Sequence, residues 1–247
     1  MYEDDSIMNI EDINSDSNEI EQDNRSVVEK TKVGLISMGQ VLRNDLTEDI
    51  EDILEPDFEL VCVGILDDYS YEQIRDKFWP KDDESYIVSS IADGKTVMIS
   101  HSKAQKLINE KLENFERFDI RVKMLMCTGE FDDFNYSGIL VQPSKIIMAI
   151  LNSLDVQRIG IIVPEEDQIM DSYQQYSNFK PQIFAASPYE STDNIIATSY
   201  KFDDDVQIIL LDCMGYTNRM KNLVKKATGK NVILPRTLIS GVLYSIS

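Results

Sequence analysis

The sequence predicts an α/β protein of two pseudo-symmetric lobes, each a mostly parallel sheet flanked by helices. Three observations carry this. Short apolar, β-branched runs alternate with segments of helical period through nearly the whole chain after residue 31, the pattern of parallel sheets covered by helices. The plan occurs twice: residues 33–127 read strand, helix, strand, helix, hairpin, helix, strand, cysteine, and residues 159–213 read strand, helix, strand, helix, strand, cysteine. The opening strands are also alike, Val33-Gly34-Leu35-Ile36 beside Ile159-Gly160-Ile161-Ile162.

Residues 1–31 set ten carboxylates against two cations, with only scattered isoleucines. Such a segment buries too little apolar surface to offset ordering entropy, so a disordered tail is expected, or else a short segment that orders on a partner. A first strand covers 33–37, and Thr47 is a good cap for a helix ending near residue 54. A second strand over 58–66 carries Cys62 inside it, and a helix over 71–78 stops before Pro80. Asp93-Gly94 between apolar runs predicts a hairpin over 87–100. Ala104, Leu107, Ile108, Leu112 and Phe115 have helical spacing, and a strand over 121–126 follows them. Residues 32–142 make the first lobe on this reading.

The second lobe, 143–247, opens on a helix over 143–154, with Pro143 in its tolerated first turn. Strands are expected at 159–163, 182–186, 206–211 and 232–234. Helices are expected at 164–176, 191–200 and 217–228, the last stopping at Gly229, with a closing helix at 237–246 that can pack back on the first lobe.

The chain has 247 residues, 43% of them hydrophobic, enough for a sizeable core. A net charge of −20 disfavours nucleic acid and anionic lipid as partners. No apolar run is long enough for a membrane span, and the acidic start lacks the features of a secretory leader. Three cysteines form an odd, sparse set, which points away from a disulfide scaffold and toward a cytoplasmic setting. With no C-x-x-C spacing and one histidine, His101, a zinc site is not expected, nor is a Ser-His-Asp triad. The loop Gly39-Gln40-Val41-Leu42-Arg43-Asn44-Asp45 is neither a Walker loop nor G-x-G-x-x-G, so no nucleotide cofactor is expected. It reads either as a plain connection or as an anion clamp built on Arg43. The composition is compatible with a homo-oligomer.

Cys127 and Cys213 are the residues around which a function can be built. Each follows an apolar strand and precedes a glycine-containing turn, Cys127-Thr128-Gly129 and Cys213-Met214-Gly215. Singly, each reads as a buried small hydrophobe. As a pair at equivalent strand ends they read as two thiols facing one crevice, since parallel sheets bind ligands outside the carboxyl ends of their strands. Turn N–H groups there would stabilise a thiolate or hold a carboxylate. One thiol can take a proton from a carbon acid while the other returns one on the opposite face, with no metal or cofactor. Ser187-Pro188-Tyr189 reads as a rigid turn, and Asp212 as a structural hydrogen-bond acceptor.

Four stretches, in order, resemble the AroM family: Gly39-Gln40-x-x-Arg43-x-Asp45, Cys127-Thr128-Gly129-Glu130-Phe131, Ala186-Ser187-Pro188-Tyr189 and Leu211-Asp212-Cys213-Met214-Gly215-Tyr216-Thr217. That family in turn looks like the aspartate/glutamate racemase superfamily, whose members have two pseudo-symmetric lobes and a cysteine from each at their interface. Cys127 and Cys213 match those positions by placement. The racemases usually have Cys-Asn-Thr first, where this chain has Cys127-Thr128-Gly129, and Gly-Cys-Thr second, where it has Asp212-Cys213-Met214. The resemblance implies a cofactor-independent racemase, isomerase or decarboxylase acting on a small carboxylate or dicarboxylate, with Cys127 and Cys213 catalytic. Thr128, Gly129, Gly215, Tyr216 and Thr217 would hold the carboxylate, and Ser37, Gln40 and Arg43 would complete the pocket. A non-catalytic metabolite-binding or regulatory protein that keeps this pocket is the other reading.

Overall fold

The computed structural model describes residues 30–41, 48–54 and 58–246. The expectations for the acidic tail up to residue 29, for Arg43 and for the Thr47 cap lie outside these residues. In chain order the elements are β1 (Thr31–Ser37), α1 (Glu48–Leu54), β2 (Phe58–Gly64), α2 (Tyr71–Phe78), β3 (Tyr86–Ser90), β4 (Thr96–Ser100), α3 (His101–Arg117), β5 (Val122–Met126) and β6 (Ile139–Val141). Then follow α4 (Pro143–Ser153), β7 (Ile159–Val163), α5 (Ile169–Gln175), β8 (Gln182–Ala185), α6 (Thr192–Ser199), β9 (Ile208–Leu211), α7 (Asn218–Thr228), β10 (Asn231–Ile233) and α8 (Pro235–Ser245).

The two main sheets repeat one topology. The first runs β2-β1-β5-β6 and the second β8-β7-β9-β10, with every neighbouring pair parallel. In each sheet the chain leaves the first strand on one side and returns on the other. The reversal therefore lies between β1 and β5, and again between β7 and β9, at the switch points where open α/β sheets take their ligands. Cys127 comes directly after β5, and Cys213 two residues after Leu211 ends β9. The β3–β4 hairpin is antiparallel and turns at Gly94, whose φ of 83° suits glycine.

Gly34 and Gly160 sit at matching registers, Gly34 opposite Lys123 and Gly160 opposite Ile209. A Cβ on Gly34 would stand 2.8 Å from the Phe115 ring, and one on Gly160 2.8 Å from the Phe202 ring. Each glycine thus lets an aromatic ring lie flat on its strand. Gly34→Ala and Gly160→Ala are each expected to cost about 1–3 kcal/mol through overpacking, measured by urea unfolding.

The helices that follow β6 and β10, α4 and α8, pack on opposite sheets. Ile239 and Leu243 of α8 pack with Val33 and Leu35 of β1 and Ile50 and Leu54 of α1. Ile147 and Leu151 of α4 pack with Ile159, Ile161 and Val163 of β7. Both helices begin with proline, Pro143 and Pro235, at a position where its missing N–H costs nothing. The helices that follow β6 and β10 thus each pack against the other sheet.

Local differences from expectation have simple causes. Strand β6 has three residues, too few for a periodic signal. The segment expected as a helix over 164–176 is a 3₁₀ turn, Glu166–Gln168, leading into α5. Among the described residues no helix is long and apolar enough to cross a membrane.

Candidate active site

A cavity of about 550 Å³ opens where the carboxyl ends of β1, β5, β7 and β9 converge, closed at one side by the start of β3 and by α5. Both cysteine turns line it. Cys127, Thr128 and Gly129 come from the first lobe, and Asp212, Cys213 and Gly215 from the second. Cys62 lies within β2, partly buried against the first lobe's core.

The two turns are built alike. The Gly215 N–H donates to the Cys213 sulfur over 3.2 Å, and the Gly129 N–H makes the corresponding bond to Cys127. These bonds favour a thiolate, but enclosure outweighs them. Burial pushes the Cys127 thiol up to about 12, and burial also raises Cys213. Enclosure thus opposes the thiolate that the turn N–H groups favour, at Cys127 and at Cys213 alike. A helix follows closely only after Cys213, with α7 starting at Asn218; after Cys127 the chain runs irregularly to β6, so no helix dipole assists that thiol.

Asp212 directly precedes Cys213 and lines the cavity. It is 8% exposed, and hydroxyls of Thr128, Tyr176 and Ser172 bond it, with Tyr176 Oη 3.4 Å from Oδ1. Desolvation dominates over these bonds and raises the carboxyl to about 7.

The other residues singled out from the sequence divide. Ser37 lines the cavity, its Oγ accepting the Gly39 N–H at 3.3 Å. Gln40 does not line it. Its amide donates to the Leu66 and Tyr69 carbonyls at 3.3 and 2.9 Å and accepts from Ala92 N–H at 3.0 Å, tying the loop after β1 to the end of β2 and to the hairpin. Tyr216 turns into the core, wholly buried, and donates to the Ala186 carbonyl at 2.8 Å. Thr217 caps α7, its hydroxyl accepting the Met220 N–H at 3.3 Å. These three hold the scaffold and do not reach the cavity.

Several lining residues were not singled out. Tyr189, read as part of a plain turn, hydrogen-bonds Cys213. A Cβ on Gly215 would stand 2.7 Å from the Tyr189 hydroxyl, so glycine is what lets the two turns approach. Gln175 lines the cavity from α5 with a buried side-chain NH₂ that has no hydrogen-bond partner. His101 lines it from the start of α3, its ring stacked on Phe131 and its Nε2 2.6 Å from the Glu130 carbonyl. Across the rim, the Tyr86 hydroxyl of the first lobe donates to Asp167 of the second at 3.0 Å. Among the described lining residues Glu130, Asp171 and Asp212 are acidic, and none is lysine or arginine. Behind the second turn Arg236, 1% exposed, donates to the Met214 and Gly215 carbonyls and lies 3.7 Å from Asp49. No group of metal-ligating side chains occurs among the described residues.

The family model for the AroM protein matches residues 33–246. The chain belongs to the AroM family. No curated protein matches the sequence. Solved structures similar to this AroM-family chain include maleate isomerase Iso from Pseudomonas putida S16 (10% identity, TM-score 0.59, covering 88% of this chain and 93% of that one). Allantoin racemase from Klebsiella pneumoniae is similar at 11% identity and TM-score 0.58, covering 88% and 87%. Picrophilus torridus aspartate racemase is similar at 13% identity and TM-score 0.57, covering 87% and 94%. At these identities the likeness establishes the fold, a two-lobed racemase-like α/β architecture.

Proposed function

We propose that this AroM-family protein is a cofactor-independent enzyme that moves a proton at a carbon beside the carboxylate of a small acid, as a racemase, isomerase or decarboxylase. The observation that carries this reading is the placement of two thiols at matching strand ends, both lining one cavity between the lobes. Proton removal on one face and delivery on the other needs two groups held on opposite sides of one carbon. The repeated topology, which puts one cysteine of each lobe on the same cavity, supports this reading.

The cavity offers a carboxylate neutral donors, among them the Ser37 hydroxyl and the Gln175 amide. A buried NH₂ without a partner is costly, and a bound oxygen acceptor removes that cost. Gln175→Met is expected to raise KM about five- to tenfold, the worth of one neutral hydrogen bond, with kcat much less affected.

The deciding experiment is proton exchange in heavy water. Candidate hydroxy, amino and unsaturated acids are incubated with the protein, and deuterium at the carbon beside the carboxylate is read by NMR. The enclosure that opposes thiolates favours the other reading, a metabolite-binding protein that keeps the pocket. Measurable binding with no exchange across a broad panel of acids would establish that reading instead.

A further inference from the structure

We propose that Tyr189 is a positioning residue for Cys213, its hydroxyl holding that sulfur as a thiolate, so that Cys213 takes the substrate's proton and Cys127 gives one back. The inference rests on the two-thiol reading above. Geometry makes the two cysteine turns unequal. The Cys213 sulfur receives two hydrogen bonds, one from the Gly215 N–H at 3.2 Å and one from the Tyr189 hydroxyl. The Cys127 sulfur receives the corresponding backbone bond from Gly129, and no side chain among the described residues donates to it. The phenol lies directly against the second turn: a Cβ on Gly215 would stand 2.7 Å from the Tyr189 hydroxyl oxygen and 2.9 Å from Pro188 Cγ. The Ser187-Pro188-Tyr189 turn that carries it is anchored. The Ala186 N–H before it donates to the Val163 carbonyl at 2.9 Å, the Ala186 carbonyl accepts the Tyr216 hydroxyl at 2.8 Å, and the Tyr189 N–H donates to Ser187 Oγ at 3.4 Å. Ser187 and Pro188 are buried, and Tyr189, half-buried, lines the cavity.

The surrounding charges act in the same sense. Burial raises both thiols, and a charged Asp212 opposes a thiolate at either place. At Cys213 these are countered by the Gly215 N–H, by the Arg236 guanidinium behind the turn and by the Tyr189 hydroxyl; at Cys127 they are countered by the Gly129 N–H. Tyr216, the other phenol at the second turn, is held protonated by its own burial. A hydrogen bond to a charged acceptor is the stronger kind, so the Tyr189 hydroxyl favours the thiolate over the thiol. Cys213 is therefore the sulfur that ionises first. Its thiolate takes the substrate's proton and becomes a thiol, and the Cys127 thiol gives its proton to the opposite face of the carbanion and becomes a thiolate. Once product has left, Cys127 takes a proton from water and Cys213 releases one to water, which restores the starting state.

The test follows alkylation of the full chain by iodoacetamide, without substrate, with mass spectrometry reading Cys127 and Cys213 separately between about pH 6 and about pH 10. In the wild type the Cys213 rate is expected to rise at lower pH than the Cys127 rate. Tyr189→Phe keeps the ring and removes the donor. Losing a bond to a charged acceptor cuts the thiolate fraction about tenfold. The greater nucleophilicity of a more basic thiolate returns about a factor of three. Cys213 alkylation should therefore slow about threefold, with its profile displaced to higher pH and that of Cys127 unmoved. Should the phenylalanine variant not fold, Gly215→Ala reads the same contact, because the added Cβ crowds the hydroxyl off the sulfur and should displace the Cys213 profile in the same direction. A Cys213 profile that stays in place, an equal displacement of both profiles, or a wild type in which Cys127 ionises first overturns the proposal. Inertness of both wild-type cysteines across the range would remove the two-thiol reading itself, an outcome distinct from reactive thiols that ignore Tyr189.

Discussion

Cys127→Ser and Cys213→Ser are each expected to reduce racemisation or isomerisation by about 10²–10⁴-fold, the usual contribution of one acid–base group. Serine keeps the size of the side chain and the Gly129 or Gly215 N–H beside it, so the turn persists while the ionisable proton is lost. An alkoxide forms far less readily than a thiolate, and no lysine or arginine among the described lining residues would stabilise one. The two variants also separate the reactions. A two-sided proton transfer needs both sulfurs, so each variant stops conversion, yet each can still wash deuterium into the one enantiomer whose proton faces the remaining thiol. A decarboxylation needs only one proton delivered, so one variant retains most of its rate and the other does not. Chiral chromatography with deuterium NMR reads all of these outcomes. Full activity in both variants would sink the assignment of either cysteine.

Arg236→Met is expected to destabilise the fold by about 3–5 kcal/mol, the cost of breaking a buried ionic network from one side. The guanidinium joins three elements. It belongs to α8, donates to the Met214 and Gly215 carbonyls of the second cysteine's turn, and lies 3.7 Å from Asp49 of α1. Asp49 in turn accepts the Asn218 N–H at 2.9 Å. Methionine would fill the volume but leave the two carbonyls without this donor and Asp49 without its cation. For a chain of this size the loss corresponds to a fall in Tm on the order of 10 °C. Arg236→Lys retains charge but lacks the forked donor set, so it should recover only part of the stability. Urea unfolding checks both variants. A methionine variant within about 0.5 kcal/mol of wild type would remove the network from any structural role.

Much of the architecture is legible in local patterns. Runs such as Val33-Gly34-Leu35-Ile36 and Ile159-Gly160-Ile161-Ile162 fall where β1 and β7 lie, because a strand buried on both faces is apolar throughout. Asp93-Gly94 marks the hairpin, and Thr217 and Gly229 mark the ends of α7, because caps and turns depend on single residues. The repeated plan of the chain marks Cys127 and Cys213 as counterparts. What local pattern does not show is direction. Thr128 and Thr217 are both threonines in turns beside cysteines, yet one lines the cavity and the other caps a helix. Gln40 and Gln175 are both amides, and only Gln175 keeps an unpartnered donor in the pocket.

Fold class, twofold repetition and the two thiols at strand ends follow from hydrophobic period and from order along the chain. Which groups meet, and how enclosure shifts their proton affinities, depends on the tertiary fold. Helices α4 and α8 pack on opposite sheets, and enclosure in the crevice between the lobes raises both thiols and lifts Asp212 to about 7. Desolvation is a property of surroundings assembled from residues distant in the chain, so the proton-holding character of this crevice appears only once the chain has folded around it.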